Sequence, residues 1–262
     1  MDIREAGQLT AHQEYEHWWI QTRFRYLERA LALPFASPTL RVLEVGCGTG
    51  QNLQFLRQES ELSERIVQLV GVEPAWPLQQ SMPVGLRPTD QIVPSLASMS
   101  PSDPFDLLLA MDVLEHIDDD RGALKDWVAY LKPGARVFIT VPAFQALWSR
   151  HDELLHHWRR YTVAHVAALA KSVALQPITI CYAFSYLFVP AYVLRVLLPR
   201  RARAQHSDAS LRDTTDLALA PPLLNSFLRT VGWLESKAGG SSWCGTSVIG
   251  YFEKPAVETA GA

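Results

Sequence analysis

LEVGCGTG, residues 43–50, decides the fold, because it places three glycines between an apolar strand and a helix. The strand is LRVLEVG (40–46), and the helix QNLQFLRQ (51–58) has apolar residues at helical spacing. Glycines in such a turn let the backbone approach a ligand closely, and the helix start offers N–H groups without helical partners. A tight turn alone gives the same spacing, so the triplet by itself is weak evidence for a binding site.

Strands alternate with helices after this loop. The predicted strands that follow are IVQLVGVE (66–73), FDLLLAMDV (105–113), ARVFITVPA (135–143), TICYAF (179–184) and SVIGYFEK (247–254). The run 121–134 is helical and separates two of these strands. Alternation of this kind over residues 39–143 predicts parallel strands with right-handed crossovers. We therefore expect an α/β fold with a Rossmann-like, doubly wound, mostly parallel sheet.

The remaining segments predict additions to this sheet. We expect an N-terminal helical lid at 1–36, a core at 37–184 and 244–256, and a helical insertion at 185–243, before the last strand. An insertion of this length is usually functional, and we expect it to cap the substrate side or to contact a membrane surface. The paired tryptophans of EHWWIQTRF (16–24) are either two anchors of an amphipathic helix or part of the lid.

Composition excludes some classes of function. The 262 residues are 48% hydrophobic with a net charge of −3, which argues against a broad nucleic-acid footprint. The three cysteines have neither paired nor metal-like spacing, so we expect a reduced, cytoplasmic setting. The first residues contain no apolar run, so no secretory signal is expected.

One apolar segment leaves three interpretations open. Residues 178–198 are almost wholly apolar and are followed by PRRAR, although Pro190 and Arg195 interrupt them. The segment is a core strand that continues into a buried helix, a helix on a membrane surface with its arginines at the phosphate level, or a membrane span. The second interpretation places the protein peripherally on the inner face of the membrane.

Two carboxylates qualify the glycine loop. Glu44 lies at the end of the loop's strand, where it would repel the phosphates of a dinucleotide. Glu73 ends the next strand, at the position where an acid meets ribose hydroxyls in nucleotide-binding folds. The pair therefore favours a cationic nucleoside without phosphates.

These motifs, in this order, resemble the class I S-adenosylmethionine-dependent methyltransferases. The resemblance runs from EVGCGTG through GVE and FDLLLAMDVLEHI to LKPGARVFITVPA, and it covers about residues 12–180 together with 247–254. Within that superfamily, the chain is most similar to the branch that contains the ubiquinone-biosynthesis O-methyltransferases. The resemblance implies S-adenosyl-L-methionine as cofactor and methyl transfer as the reaction.

The resemblance also implies a set of cofactor contacts. These are Arg23, Glu44, Gly46, Cys47, Gly48, Gly50, Glu73, Pro74, Ser95, Leu96, Ala110 and Met111. By similarity, the glycines wrap the methionine part, Arg23 clamps its carboxylate, and Glu73 accepts from both ribose hydroxyls. Val72 or Pro74 borders the adenine, and Ala110 and Met111 face the sulfonium. The family's acidic adenine contact would fall near Ser95 and Leu96, where this chain has no acid.

AMDVLEHIDDD, residues 110–120, crowds acids and a histidine at the end of one strand. Asp112, Glu115 and His116 would share one side of a helical turn, where they could bind a divalent cation such as Mg²⁺. Similarity to the metal-dependent small-RNA 2′-O-methyltransferases adds His157 to this set, because an aromatic residue and a threonine follow it. The alternative is a hydrogen-bond network without metal, in which His116 or His157 is the catalytic base.

Neighbouring charged residues receive simpler interpretations. Asp118, Asp119 and Asp120 are expected to solvate a helix start, where acids are favoured by the helix dipole. His151 and His156 are expected at the surface or behind the site. Arg159 and Arg160 either neutralise an anionic substrate or pair with the acidic residues.

The expected function is O-methylation of a small or lipid-linked acceptor that resembles a quinone precursor. A soluble metabolite or a glycan-pathway sugar is the alternative acceptor. A third interpretation belongs to another class of function: a regulatory protein that binds S-adenosylmethionine without catalysing a reaction. None of these interpretations includes a nucleic-acid partner.

Overall fold

One seven-stranded sheet forms the centre of the molecule. The computed structural model describes residues 15–75, 82–83, 85–197 and 220–256. The strands are β1 (Leu40–Val45), β2 (Ile66–Val72), β3 (Gln91–Val93), β4 (Phe105–Met111), β5 (Leu131–Pro142), β6 (Gln176–Ala183) and β7 (Ser247–Glu253). Their order in the sheet is β3-β2-β1-β4-β5-β7-β6.

Helices flank this sheet. They are α1 (Trp18–Leu31), α2 (Gln51–Gln58), α3 (Asp120–Ala129), α4 (Arg150–Leu154), α5 (Val163–Ser172), α6 (Phe188–Tyr192) and α7 (Pro222–Ala238). A π-helical turn, Val193–Leu197, continues α6. As expected for an acidic helix start, Asp119 caps α3 by accepting a hydrogen bond from Gly122 N at 2.9 Å.

The strand directions confirm the predicted doubly wound, mostly parallel sheet. β3, β2, β1, β4 and β5 pair in parallel, and β7 alone runs antiparallel to its neighbours β5 and β6. Chain order reverses at β1, which lies between β2 and β4. Crossovers leave in opposite directions at such a reversal, so a crevice opens beyond the carboxyl ends of β1 and β4.

Apolar side chains cover both faces of the sheet. One face packs on α3 and α5 through Leu124, Trp127 and Val166, and the other packs on α1 and α2. On the second face, the rings of Phe24 and Phe55 stack with their centroids 4.2 Å apart. Because both faces are covered, β4 is buried along its whole length, as is typical of a central parallel strand.

Helix α7 packs on α1, although the two are far apart in the sequence. Trp18 N donates to Asn225 Oδ1 at 2.9 Å, and Gly232 lies so close to Thr22 that a Cβ there would be 2.2 Å from its Oγ1. Glu235 accepts from Tyr26 OH at 3.0 Å and from Phe184 N at 2.7 Å. One carboxylate thus joins α1, α7 and the turn that follows β6.

The apolar segment 178–198 divides at Phe184. Its strand half is in the sheet and ends in buried residues, as the core interpretation predicts. Phe184 has φ 57° and turns the chain out of the sheet, and the helix beyond it is not buried. Val189, Leu194 and Leu197 are 65%, 60% and 62% exposed, so the interpretation as a buried helix is wrong. Within the residues that the structure describes, no helix has both the length and the apolarity that a membrane crossing requires.

Candidate active site

A cavity of about 870 Å³ occupies the crevice at the strand ends. Its volume is in the range of small-molecule and cofactor sites. Seven of the residues predicted to contact the cofactor line it: Arg23, Gly46, Glu73, Pro74, Ser95, Leu96 and Met111. Val72 lines it as well. Cys47, in the glycine loop, is buried against β2, and Ala110 is buried in β4, so neither side chain is part of the cavity wall.

Backbone bonds to the end of β2 fix the glycine loop. Gly46 N and Cys47 N both donate to Val72 O, at 2.8 and 3.1 Å. Gly48 N donates to Glu73 Oε2 at 3.0 Å. Gly46 has φ 63°, and a Cβ at this position would lie 2.5 Å from a methyl of Val113. Glycine is therefore required here both by the backbone conformation and by the close neighbour.

Glu44 lies beneath the loop and does not line the cavity. Its side chain is fully buried and accepts a hydrogen bond from Asn52 of α2, and its second oxygen has no partner within the described chain. Burial raises the pKa of Glu44 to about 7, in spite of the opposing effect of the Asn52 hydrogen bond. Glu44 thus supports the loop from below and carries a titratable proton inside the fold.

Arg23 and Asp112 place opposite charges on the cavity wall. Arg23 is 3% exposed, its guanidinium lies 4.4 Å from the centre of the Trp19 ring, and its Nη2 is 3.0 Å from Asp112 Oδ2. The contact is ionic without hydrogen-bond geometry, so both groups have unused hydrogen-bonding capacity within the described structure. Asp112 has φ 58°, a left-handed backbone conformation.

Three of the four predicted metal ligands meet. Glu115, His116 and His157 each place one potential ligand atom within 4.8 Å of the other two. The ring centroids of His116 and His157 are 4.6 Å apart. Residues 114–116 form a 3₁₀ turn, not the expected α-helical turn, and Asp112 is not among the residues whose ligand atoms meet. Burial, and then the charge of Asp112, raise the pKa of Glu115 well above its ordinary value.

Asp152, which is not among the predicted site residues, lies behind this cluster. His157 Nδ1 is 2.9 Å from Asp152 Oδ1, and Arg160 binds both oxygens of the same carboxylate at 2.8 and 2.9 Å. Arg160 therefore does not pair with the acidic residues 118–120, whereas Arg159 does, at 2.9 Å from Asp120. The sequence shows that Asp152, His157 and Arg160 lie within nine residues of one another. It does not show that their side chains pair.

The other histidines of this segment lie in different surroundings. His151 lines the cavity near His157, with 6.3 Å between the ring centroids. His156 is exposed. The cavity wall beyond the histidines is mostly apolar and comes from α6 and the turns on either side of it, through Leu187, Pro190, Ala191 and Leu194 together with Arg195. The cavity thus has a polar half at the strand ends and an apolar half under α6.

Comparison with known proteins identifies the family. The sequence model described as a methyltransferase domain matches residues 15–170, which is more than half of the chain. The chain therefore belongs to the methyltransferase domain family, and the predicted resemblance to class I S-adenosylmethionine-dependent methyltransferases is confirmed.

Curated relatives indicate a more particular branch. The chain is similar to the ubiquinone biosynthesis O-methyltransferase of Xanthomonas campestris pv. campestris, with 32% identity over 121 residues, 45% of this chain and 48% of the relative. The same enzyme from Xanthomonas euvesicatoria pv. vesicatoria is 29% identical over 170 residues, 59% of this chain and 68% of the relative. The chain spans about half the length of most of the curated relatives it matches.

Solved structures support the fold. A Haemonchus contortus phosphoethanolamine N-methyltransferase in complex with S-adenosyl-L-methionine has a TM-score of 0.52 at 17% identity, covering 97% of this chain and 60% of that one. The plantazolicin methyltransferase in complex with a substrate analogue and SAH has a TM-score of 0.52 at 13% identity, with coverage of 96% and 86%. At such identities the likeness concerns the fold alone.

The buried proton of Glu44 should make stability depend on pH. The unfolded carboxyl ionises near 4.5 and the folded one near 7, so between these values the folded state binds more protons and stability falls as pH rises. Glu44→Gln removes this loss, which amounts to about 3 kcal/mol over the whole window. Urea unfolding of both proteins at a series of pH values measures it. Parallel curves for the two proteins would contradict the assignment.

Proposed function

We propose that this methyltransferase transfers the methyl group of S-adenosyl-L-methionine to an oxygen of a small or lipid-linked acceptor with an apolar body, similar to a quinone precursor. The observation that carries the proposal is the pair of histidines beside Glu115, placed between the polar and apolar halves of one cavity. An oxygen nucleophile must lose a proton, and imidazoles at this boundary are suited to accept it. The name of the relatives agrees with an oxygen acceptor.

The cofactor fits the polar half of the cavity. Arg23 and Asp112 have unused hydrogen-bonding atoms of opposite charge, which match the carboxylate and ammonium of a methionine group. Glu73 lines the cavity and can accept from ribose hydroxyls while it holds Gly48. Of the predicted contacts that do not line the cavity, Glu44 lies beneath the loop, Cys47, Gly48 and Gly50 belong to it, and Ala110 is buried in β4. When bound, the sulfonium supplies a methyl carbon already activated for displacement, so these residues need chiefly to orient it.

The lid also belongs to this proposal. Trp18 and Trp19 of α1 line the cavity, and Arg23 follows them one helical turn later. We infer that the lid at 1–36, described from residue 15 onward, covers the cofactor, that 37–184 and 244–256 form the core, and that the insertion at 185–243, described at 185–197 and 220–243, borders the acceptor. The placement of Leu187 and Pro190 on the cavity wall supports the last assignment.

The side chains at the boundary between the polar and apolar halves of the cavity are suitable ligands for a divalent cation. Glu115, His116 and His157 offer one carboxylate and two imidazoles, which suit Zn²⁺ or Mn²⁺ better than Mg²⁺, whose preferred ligands are oxygens. A cation there would lower the pKa of an acceptor hydroxyl. Without it, His157 or His116 is the base that takes the hydroxyl proton. The two forms of the proposal differ in their response to a chelator.

Substitution of Glu73 should weaken cofactor binding. Glu73→Gln removes the charge that strengthens hydrogen bonds to ribose hydroxyls, and we expect S-adenosylhomocysteine affinity to fall about 10- to 100-fold. Calorimetric titration measures the change. Glu64→Gln, which alters an exposed carboxylate paired with Arg87, is the matched control and should bind normally. Equal affinities for the two variants would contradict the role of Glu73.

A labelling experiment tests the proposed acceptor and the role of His157. Protein, methyl-labelled S-adenosylmethionine and total cell lysate are incubated with and without a chelator, and products are separated into organic and aqueous phases. We expect label in the organic phase, reduced at least about 100-fold by His157→Asn. His156→Asn is the control, because His156 is adjacent but exposed. Label confined to the aqueous phase would contradict the lipid-like acceptor and favour a soluble metabolite or sugar.

The exposed apolar face of α6 supports a membrane-surface contact. Val189 and Leu197 face outward from a helix whose other side lines the acceptor half of the cavity. Arg200, Arg201 and Arg203 follow in the sequence, outside the described residues. A helix at this position would let a lipid-linked acceptor pass from the bilayer into the cavity.

Vesicle binding tests this contact. With vesicles that contain anionic lipid, we expect Val189→Asn to lower the partition coefficient about fivefold, because it removes apolar surface that would otherwise be buried. Val67→Asn is the control, since Val67 is an exposed valine of β2, at a distance from α6. No sedimentation of the wild-type protein with vesicles, or equal loss in both variants, would contradict the membrane contact.

A further inference from the structure

Asp152 is the buried centre of the segment that carries His157. Its Oδ1 is 2.9 Å from His157 Nδ1 and accepts from Arg160 Nε at 2.8 Å. Its Oδ2 accepts from Arg160 Nη2 at 2.9 Å and from Ser149 N at 2.8 Å. Ser149 Oγ donates to Oδ2 too, at 3.1 Å. Contacts on both oxygens therefore hold the carboxylate in a single orientation.

The charge state of Asp152 follows from these contacts. Arg160, which is always protonated, donates to both oxygens of this carboxylate, and Ser149 N donates to Oδ2 as well. The carboxylate is thus ionised at neutral pH. An ionised carboxylate only accepts hydrogen bonds, so His157 Nδ1 must be the donor.

We propose that Asp152 is a positioning residue that fixes His157 as the Nδ1–H tautomer and directs the Nε2 lone pair to the reacting hydroxyl or to a cation, with Arg160 holding Asp152 in place. The inference rests on the proposed function of His157, whose ring lines the cavity. It applies to both forms of that function, because a base and a metal ligand each need the lone pair on Nε2.

His116 provides an internal comparison. Its Nδ1 is 3.0 Å from Leu155 O, and a carbonyl can only accept, so the neutral ring of His116 also has its proton on Nδ1. The two neighbouring histidines thus adopt the same tautomer through different acceptors. Side-chain substitution can alter the acceptor of His157, whereas the acceptor of His116 is backbone and remains.

The tautomers are measured by long-range ¹H–¹⁵N correlation spectra of the imidazoles, in the full chain saturated with S-adenosylhomocysteine, at a pH where the rings are neutral. We expect Nδ1–H for both histidines in the wild-type protein. In Asp152→Asn, we expect the amide oxygen to take the place of Oδ2, where Arg160 Nη2 and Ser149 N donate, so that the NH₂ takes the place of Oδ1 and faces His157. The His157 proton should then move to Nε2 while the proton of His116 stays on Nδ1.

Asp90→Asn is the matched control. Asp90 is also buried and bound through both oxygens by an arginine, with Arg57 at 2.8 and 2.6 Å, but neither residue lines the cavity. Its substitution breaks the same kind of ion pair, so it reproduces any general loss of stability. We expect the spectra of both histidines to be unchanged in this variant.

Activity gives a second readout. Asp152→Asn should reduce organic-phase labelling about 10- to 100-fold and leave S-adenosylhomocysteine affinity within about twofold, as is usual for residues behind a ligand or base. A proton on Nε2 of His157 in the wild-type protein overturns the proposal, and this result needs no variant that folds. A retained Nδ1–H in Asp152→Asn, or an equal change in Asp90→Asn, overturns it too. If instead His157→Asn leaves labelling intact, the proposed function of His157 fails while the tautomer result stands.

Discussion

The attachment of the glycine loop to the end of β2 is the constraint on which the site depends. Two loop N–H groups share the Val72 carbonyl, and a third binds the carboxylate of Glu73. The loop therefore cannot move without the strand end that carries Glu73. The loop follows β1 and Glu73 follows β2, and these two strands are neighbours in the sheet. The register between the two strands therefore sets the positions of the loop and of Glu73 relative to each other.

Much of the fold could be predicted because it follows from local periodicity. Apolar runs separated by helical patterns imply a parallel sheet, and the carboxyl ends of its strands place Gly46, Glu73 and Met111 around one cavity. Side-chain pairing could not be predicted, since it depends on single backbone angles. Asp112 is in a left-handed conformation that spacing alone does not reveal, and it faces Arg23 as a result.

The exposure of α6 escaped prediction for a different reason. Composition shows that a segment is apolar, but not what covers it. The turn at Phe184 takes the chain out of the sheet, where α6 has the cavity on one side and solvent on the other. The same limit applies to Asp152 and Arg160: the sequence shows charges, and only the fold shows that they lie in the interior, neutralise each other and hold a histidine.

Glu235 has a consequence for how the molecule is made. It joins Tyr26, 209 residues earlier, to the turn after β6, 51 residues earlier. Contacts of such sequence separation require the closure of a long loop, so they form after the locally connected strands β1 to β5 have paired. During synthesis, Tyr26 of α1 leaves the ribosome 209 residues before Glu235 of α7, so α1 must wait for its partner helix. The wall that carries Trp18, Trp19 and Arg23 is thus the last side of the cavity to become rigid.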